Sequence, residues 1–492
     1  MIPRYMSAEI ARIWSDENKT ALWQDVELAV IEARRDSGEI SQGHFEIVER
    51  SLLDNPIDLK WWLEREKTIG HDLNAFLEER VRFIPPSLQD LFHKQLTSYD
   101  TEEPAFALIL QASASHLDAA LSELLDILRQ QTLKYRRVPM MARTHGQYAE
   151  VQSFGLRFVR WYADLMVDKQ LLDEARERLH YSKLSGAVGN CTGIDPELER
   201  LALAKLGLKP FYGASQIMPR EIYAPLASAL CQLVQTLHKI AMAIRLGARS
   251  GNPIYQEPFR KGQKGSSAMP GKKNTIATEQ MEGLASMALG YLAMIMNRIS
   301  TWEERAIEQS SVERVAWPDL FHVAVRVVKV ITGVLADLKV YPQNMLREII
   351  ESNGCYAASA AQSCLKTLGT ETGLFEAETA YRLVQLAAFN AFEDQQGVYP
   401  ICENLQVADE ILANTKRYST PRRSIKNLLL HGRLRPSDEV PLTAEEIAQH
   451  SRSLRKIFKN PEWRQRWEEV FSLVYLLRNE PEIYRQVLGK KA

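Results

Sequence analysis

The sequence predicts an all-α protein built around a bundle of long helices. Apolar residues recur at alternating spacings of four and three from Leu110 to Leu128, from Leu226 to Ile244 and from Leu320 to Val334. That spacing places an apolar stripe along a helix that packs against other helices. The segment from Met281 to Ile299 is apolar or small on nearly every side, which is typical of a helix buried in a bundle. The excess of apolar surface predicts that other subunits cover part of the bundle.

Changes in this pattern divide the chain into three predicted domains. Residues 1–97 are predicted to form short helices joined by turns. Residues 98–345 contain the long stripes, whereas in residues 346–492 the stripes weaken although helical segments continue. The last predicted domain contains a capping box from Thr443 to Glu446 that predicts the start of a helix.

Composition limits the class of protein. The chain has 492 residues, of which 45% are hydrophobic and 25% charged, and its formal net charge is −1. This charge gives no indication of binding to nucleic acid or to a membrane surface, and no apolar run reaches the about 18 residues of a membrane span. The five cysteines are scattered and lack Cys-x-x-Cys spacing, which favours a reduced, cytoplasmic setting and argues against a zinc site.

Polar breaks between the predicted helices are where we expect a binding site to form. Taken singly, each break is more often a helix junction, and a lone histidine is more often structural. Their recurrence at helix ends is what favours a site. The breaks contain Gly70-His71-Asp72, His93 with Thr97 and Ser98, residues 142–147 with Thr144 and His145, residues 182–190, residues 216–220 with Gln216, and residues 302–314.

The most unusual stretch runs from Gly262 to Asn274 and combines glycines, two adjacent serines, lysines and a terminal asparagine. Glycine disfavours helices and strands, so the stretch predicts a loop. Hydroxyl, ammonium, amide and backbone N–H groups gathered in one loop suit a developing negative charge. A phosphate-binding P-loop is excluded because its Gly-Lys-Ser/Thr ending and a clear preceding strand are missing. A polar surface loop is the alternative.

Within this loop, Gly265, Ser266, Met269, Lys272 and Asn274 fill the pattern Gly-Ser-x-x-Met-x-x-Lys-x-Asn. The pattern resembles the signature loop of the fumarase/aspartase superfamily. The resemblance implies an all-α, three-domain fold whose central bundles assemble into a tetrameric helical core. It also implies a homotetramer whose active sites combine residues from several subunits.

Within the superfamily, the chain is similar to the adenylosuccinate lyases from residue 1 to about residue 350. The C-terminal domain, residues 346–492, matches the family weakly and contains an extension relative to it. The resemblance implies a carbon–nitrogen lyase of purine nucleotide biosynthesis that eliminates fumarate from adenylosuccinate, with the related succinyl-aminoimidazole carboxamide ribotide as a second candidate substrate. The similar segments are Arg4-Tyr5, residues 70–72, His93 with Thr97-Ser98, residues 143–146, residues 185–189 and residues 261–274.

The resemblance assigns the elimination chemistry to four residues. Such a reaction requires a base for a weakly acidic C–H proton, electropositive groups for the resulting dianion, and an acid for the leaving atom. In the family the base is the serine matching Ser266, the acid is the histidine matching His145, and the histidine matching His71 supports binding and orientation. Ser266 can act as an alkoxide only if Lys272, loop N–H groups and exclusion of water favour its ionised form, which favours a loop that closes. No metal or redox cofactor is required.

The resemblance also implies a nucleotide substrate. In the family, the nucleotide phosphate is held by residues that match Arg4, Tyr5, Arg305, Ser310 and Arg314. These five positions lie far apart in the sequence, and all five match. The other residues expected to bind substrate are Asp72, His93, Thr97, Ser98, Thr144, Gln216, Ser267, Met269 and Asn274.

Several positions depart from the family pattern on the purine side, so the identity of the leaving amine stays open. One alternative is a diverged paralogue that releases fumarate from another N-succinyl compound, such as an argininosuccinate-like aspartate adduct. Another is a non-catalytic relative, which the presence of Ser266, His145, Lys272 and Asn274 disfavours. The departures are Gly70, Lys94, Gln95, Glu221, Ile222, Tyr223, Gly271, Thr275, Ala306 and Gln309.

Overall fold

The computed structural model is dominated by α-helices, which confirms the all-α prediction. In the residues that it describes, strands occur only as three two-stranded ladders. None of the described helices is long and apolar enough to cross a membrane. Four cysteines are free thiols, and Cys402 lies outside the described residues. The structure describes residues 1–269, 271–396, 424–437 and 440–489.

The chain forms two compact units, each assembled from separate stretches of sequence. The sequence predicted a different division, into three domains with boundaries after residues 97 and 345. That division stays a prediction. The first unit consists of residues 1–127, 163–246 and 259–337, and the second consists of residues 128–162, 247–258 and 338–492.

The first unit begins with five helices, of which four are short, as predicted, while the helix Asp16–Asp36 has 21 residues. Serine, aspartate or histidine side chains cap each of them. These side chains accept the backbone N–H groups that a first helical turn leaves without partners. The caps are Ser7, Ser15, Ser41, Asp58 and His71. The helices are α1 (Ala8–Ile13), α2 (Asp16–Asp36), α3 (Gln42–Leu53), α4 (Leu59–Ile69) and α5 (Asp72–Val81).

The three predicted stripes lie on three long helices and are almost entirely buried. The first helix, α6, begins at Ser98, so that Pro104 lies inside the helix and not before it. The long helices are α6 (Ser98–Tyr135), α7 (Phe154–Arg178), α9 (Ala224–Gly247), α10 (Ile276–Met296) and α11 (Glu308–Ala336). The shorter α8 (Pro196–Lys205) follows β3 (Tyr181–Ser182), which pairs in parallel with β4 (Lys209–Pro210).

Helix α10 is less buried than its all-round apolar sequence predicts. One face packs along α11 and buries Met281, Leu284, Ala285 and Ala288. Other apolar side chains of the same helix are exposed in the single chain, because no described element covers that face. They are Met287, Leu289, Met294 and Met296.

The second unit combines a β-hairpin with the C-terminal helices. The capping box is present as predicted: Thr443 accepts from the backbone of Glu446, whose carboxylate in turn accepts from the backbone of Thr443. The strands are β1 (Pro139–Thr144), β2 (Gln147–Ser153), β5 (Tyr255–Gln256) and β6 (Lys339–Val340). The helices are α12 (Pro342–Glu351), α13 (Ala358–Thr372), α14 (Ala377–Gln396), α15 (Ile425–Leu430), α16 (Ala444–Ile457), α17 (Pro461–Glu469), α18 (Leu473–Leu477) and α19 (Glu480–Leu488).

Candidate active site

The stretch from Gly262 to Asn274 lies outside any helix or strand, as predicted, in the part of it that the structure describes. Its two ends are joined where the Asn274 amide donates to the carbonyl oxygen of Gly265 over 2.8 Å. Residue 265 must be glycine for this packing, because a Cβ there would lie 2.0 Å from the carbonyl oxygen of Lys272. The base of the loop is therefore closed by backbone and amide groups, with no space for a side chain.

Ser266 is the half-buried hydroxyl within this loop. Its Oγ accepts the backbone N–H of Met269 over 3.1 Å and that of Ala268 over 3.3 Å. Two N–H dipoles directed at one oxygen stabilise negative charge on it. The loop thus supplies part of the environment that a serine needs to act as a base. No hydrogen bond joins the Lys272 ammonium to Ser266 among the described residues, and Lys272, Ser267 and Met269 are exposed.

His145 lies at the tip of the hairpin formed by β1 and β2, in the second unit. Thr144 pairs with Gln147, so the turn contains only His145 and Gly146. Both turn residues have positive φ, 52° and 78°, as a two-residue type I′ hairpin turn requires. The imidazole is exposed, and Thr144 is exposed beside it. The sequence predicted a polar break here and missed the hairpin, because His-Gly is not among the dipeptides Asn-Gly, Asp-Gly and Gly-Gly that signal such a turn.

The hairpin is anchored next to His145 by an arginine. The Arg143 guanidinium donates to both carboxylate oxygens of Glu348, over 2.7 and 3.2 Å, and lies 4.7 Å from the Tyr148 ring centroid. A bidentate pair fixes orientation as well as distance. The turn that presents the histidine is therefore held by a charged contact at its base.

His71 and Asp72 begin α5. The Nδ1 of His71 accepts the backbone N–H of Asn74 over 3.3 Å, so the proton of the neutral ring lies on Nε2, where it is available for donation. Asp72 accepts from Arg314 over 2.7 Å. The preceding Gly70 has φ 68° and ends α4 in the left-handed conformation. The chain turn at Gly70 thus sets the position of the histidine.

Arg305 is half-buried and contacts two other residues of the candidate site. Its Nη1 donates to Oε1 of Gln216 over 3.0 Å, and its guanidinium carbon lies 3.9 Å from the Tyr99 ring centroid. The Tyr99 hydroxyl accepts from Gln309 over 3.2 Å. Tyr99 was not among the predicted site residues. No local pattern marks it, since its partners lie more than two hundred positions away along the chain.

Two of the departures from the family pattern, Gln309 and Tyr223, are buried and have hydrogen-bond partners inside the protein. Gln309 is bound to Tyr99, and Tyr223 donates to Glu103 over 2.9 Å. Glu103 and Glu313 also neutralise Arg220, which is fully enclosed and donates to both oxygens of Glu313. A buried arginine retains its charge when carboxylates surround it. Arg220 is therefore engaged within the protein.

A cavity of about 250 Å³ opens beside these groups. Burial, and to a lesser degree the nearby Asp72 carboxylate, raise the pKa of Glu102 to about 8 against the opposing charges of Arg314 and Arg305. Glu102 is thus a neutral acid at neutral pH beside two cations. The lining residues include Trp14, Lys19, Trp23, Tyr99, Glu102, Phe106, Ser310 and Arg314.

The remaining predicted residues are less closely connected. His93 lies with Nδ1 2.8 Å from Glu27; burial alone would lower the pKa of this histidine, but the Glu27 carboxylate raises it. Thr97 donates its backbone N–H to Asp100, and Ser98 begins α6. Arg4 and Tyr5 lie in a short 3₁₀ turn, where Arg4 is exposed.

Among the predicted substrate-binding residues, hydrogen bonds join two pairs, Asp72 with Arg314 and Gln216 with Arg305. Within the described part of the first unit, no hydrogen bond or ion pair joins these pairs to Ser266, Arg4 or Tyr5.

No cluster of histidine, cysteine and carboxylate side chains suited to a metal ion occurs among the described residues. Besides Glu102 and the carboxylates already bound to other residues of the protein, the polar groups described above in the first unit are cations, amides, hydroxyls and imidazoles. Such a set suits an anionic organic substrate, since arginine and lysine bind carboxylates and phosphates directly.

Comparison with known proteins gives consistent results. A family model described as Lyase matches residues 9–290. The adenylosuccinate lyase of Thermotoga maritima is 35% identical over 396 residues, which cover 80% of this chain and 90% of that protein. The adenylosuccinate lyase of Synechocystis sp. is 35% identical over 81% of this chain and 90% of its own length, and that of Bacillus subtilis is 32% identical over 80% and 90%.

Solved structures show the same fold at lower sequence identity. A fumarate lyase from Mesorhizobium sp. BNC1 covers 100% of both chains with a TM-score of 0.77 and 18% identity. The β-carboxy-cis,cis-muconate cycloisomerase from Acinetobacter calcoaceticus covers 99% of this chain and 98% of its own, with a TM-score of 0.75 and 17% identity.

Proposed function

Because the chain belongs to the adenylosuccinate lyase family of the fumarase/aspartase superfamily, and is a lyase, we propose that it eliminates fumarate from adenylosuccinate to give AMP. It is a diverged member, since its curated relatives are 32–35% identical. The observation that carries the proposal is the pair of backbone N–H groups directed at Ser266 Oγ. They favour negative charge on the oxygen that has to remove a carbon-bound proton.

The proposed reaction divides the proton transfers between two residues. Ser266, as the alkoxide, takes a proton from the succinyl carbon next to a carboxylate, and the electron pair is delocalised into that carboxylate. The electron pair then forms the fumarate double bond as the carbon–nitrogen bond breaks. His145 donates a proton to the departing nitrogen, and an imidazole suits this step because it exchanges protons near neutral pH. Lys272 and Asn274 are proposed to face the dianion, and His71 to orient the substrate.

We propose that the phosphate of the substrate is bound by Arg305 and Arg314, together with Arg4, Tyr5 and Ser310. Ser310 and Arg314 line the same cavity. Arg314 pairs with Asp72, whereas Arg305 has no carboxylate partner within ion-pair distance in the described residues. A half-buried cation without a counter-ion is suited to an anionic ligand. The same residues would bind succinyl-aminoimidazole carboxamide ribotide, which carries the same phosphate.

A second candidate is a paralogue that cleaves another N-succinyl compound. The observation in its favour is that Tyr223 and Gln309, which replace family residues on the purine side, bind Glu103 and Tyr99 inside the protein. A phosphate-free substrate would make Arg305 and Arg314 dispensable. Competition by phosphate-free analogues therefore distinguishes the two candidates.

We also propose a cytoplasmic homotetramer with active sites shared between subunits. The support is the exposed apolar face of α10, where Leu289 is 52% and Met294 49% exposed in the single chain. Such a face is normally covered in solution. Light scattering after size-exclusion chromatography would give the mass, and a monomer would contradict this proposal. We also propose that each subunit of this assembly is divided into three domains, which are residues 1–97, 98–345 and 346–492.

The experiment that tests the function follows the absorbance of adenylosuccinate during incubation with the purified protein. We expect release of fumarate and AMP, and a loss of about 10²-fold or more in kcat for Ser266→Ala. Ser311→Ala is the matched control, since that exposed hydroxyl only donates to a carbonyl within its own helix. No turnover by the folded wild type would contradict the adenylosuccinate assignment. Fumarate release from other N-succinyl compounds would then support the paralogue.

A further inference from the structure

Arg305 is held in place by an aromatic ring. Its guanidinium carbon lies 3.9 Å from the ring centroid of Tyr99, while Nη1 donates to Gln216 over 3.0 Å. Stacking on one face and a hydrogen bond at one corner fix the plane of the guanidinium. A planar cation held in this way keeps its remaining N–H groups in one fixed plane.

The charge of Arg305 is not compensated within the described part of the protein. The neighbouring Arg220 pairs with Glu103 and Glu313, and Arg314 pairs with Asp72. Arg305 has no such pair, and its buried Nε has no hydrogen-bond partner. Leaving a buried donor unsatisfied is unfavourable, so the arrangement is suited to an anion that supplies the missing acceptors.

Tyr99 is itself held in place by burial and by a hydrogen bond to a buried side chain. Its side chain is buried, and its hydroxyl accepts from Nε2 of Gln309, which is also buried. Burial raises the pKa of Tyr99, with Glu102 raising it further, so the phenol stays neutral. The ring therefore presents a constant face to Arg305 over the pH range in which an enzyme works.

We propose that Tyr99 is a positioning residue that holds Arg305 for the phosphate of the substrate, and thereby sets a preference for phosphorylated over phosphate-free N-succinyl nucleosides. This inference rests on the proposed function. It predicts that loss of the ring weakens only the interaction with the phosphate. A ring with a merely structural role would, when lost, weaken both classes of substrate equally.

The test compares adenylosuccinate with its 5′-dephosphorylated form in the wild type and in Tyr99→Leu. A cation–π contact contributes a factor of about 2 to 30 in affinity, so we expect kcat/KM for adenylosuccinate to fall about tenfold, mainly through KM. The value for the dephosphorylated compound should change less than about twofold. Tyr99→Phe keeps the ring and should restore most of the lost preference. If Tyr99→Leu does not fold, a Tyr99→Phe variant that folds but has lost the preference overturns the inference.

Two further variants make the comparison specific. Tyr475→Leu removes a ring that lies 3.8 Å from Arg478 in the other unit and should leave both substrates unaffected. In an Arg305→Met background, adding Tyr99→Leu should cause no further loss of phosphate preference. An equal loss for both substrates, or an unchanged preference in Tyr99→Leu, would overturn the inference.

Calorimetric titration with AMP separates this inference from the proposed function, because it needs no turnover. We expect AMP to bind the wild type and to bind Tyr99→Leu about tenfold more weakly. Failure of the wild type to bind AMP or to cleave adenylosuccinate contradicts the proposed function. Normal wild-type binding that Tyr99→Leu leaves unchanged contradicts the role of Tyr99 alone.

Discussion

The Nζ of Lys183 lies 2.8 Å from Oδ1 of Asp100, and both side chains are fully buried. The same ammonium donates to the carbonyl oxygens of Gly186 and Gln216, each over 2.9 Å. Asp100 accepts backbone N–H groups from Thr97 and Gly186. This buried ion pair therefore connects three features. They are the start of α6, the turn at Gly186, and Gln216, which accepts a hydrogen bond from Arg305.

Removal of the lysine should destabilise the protein strongly. In Lys183→Met the Asp100 carboxylate stays buried without its counter-ion, which costs about 3–5 kcal/mol of unfolding free energy. Denaturant unfolding followed by circular dichroism would measure it. Lys67→Met is the matched control, because Lys67 forms an exposed pair with Glu64 and should contribute less than about 1 kcal/mol. Equal stabilities of the two variants would contradict the structural role of the buried pair.

A methyl group at position 265 should disrupt the loop. Since the new Cβ in Gly265→Ala would lie 2.0 Å from the Lys272 carbonyl oxygen, the loop has to shift, and a displacement of about 1 Å lowers the rate about 10²-fold. Fumarate release measures the effect. At Gly271 a Cβ has no neighbour within 4 Å, so Gly271→Ala should lower kcat/KM far less. Comparable losses of kcat/KM in the two variants would show that the close contact at Gly265 is not the cause of the loss.

Substitutions at His71 should separate its two roles. His71→Ala removes both the N-cap of α5 and the imidazole, and loss of a cap costs about 1 kcal/mol. His71→Asn replaces the cap with another side-chain acceptor and should retain most of the stability. Both variants should lose about 10²-fold in kcat/KM, because both lack the imidazole that is proposed to orient the substrate. Thermal unfolding and fumarate release are the measurements, and an active Asn variant would show that the ring is not required.

Glu102 should make stability depend on pH. Its folded-state pKa of about 8 exceeds its unfolded value of about 4.3, so between these values the folded chain binds the extra proton. Stability therefore falls as pH rises through this window. Glu102→Gln removes this fall in stability with pH, because the amide does not ionise. The variant should therefore be more stable than the wild type by about 2–5 kcal/mol at pH 8, and the two proteins should differ little below pH 4.

Calorimetric unfolding at several pH values would test this. The exposed Glu46 provides the control variant Glu46→Gln, which should follow the wild-type curve. A Glu102→Gln curve parallel to that of the wild type would contradict the prediction. In that case the carboxylate would be ionised in the folded protein at neutral pH.

The features that the sequence predicted correctly are those with a local signal. The capping box at Thr443 depends on two residues three positions apart, and the long stripes depend on spacing alone. A proline usually marks a helix boundary, but the one in α6 does not. In the structure Pro104 lies inside the helix that begins at Ser98.

The contacts that complete the site have no local signal. Asp100 and Lys183 are far apart in the sequence, as are Tyr99 and Arg305, and only the folded chain brings them together. The resemblance to a family predicted Arg305 but not the ring beneath it, because the pattern records matched positions and not contacts between them. The roles assigned to Ser266, His145 and the phosphate-binding residues remain predictions that the experiments above address.

Ser310 and Arg314 lie one turn apart on α11 and line the same cavity. Each residue advances a helix by about 100°, so one residue inserted or deleted between them would turn one side chain away from the other. Changes in chain length are therefore excluded from this turn, whereas exposed connections outside the candidate site tolerate them. Among homologues, we expect residues 309–314 to be free of insertions and deletions.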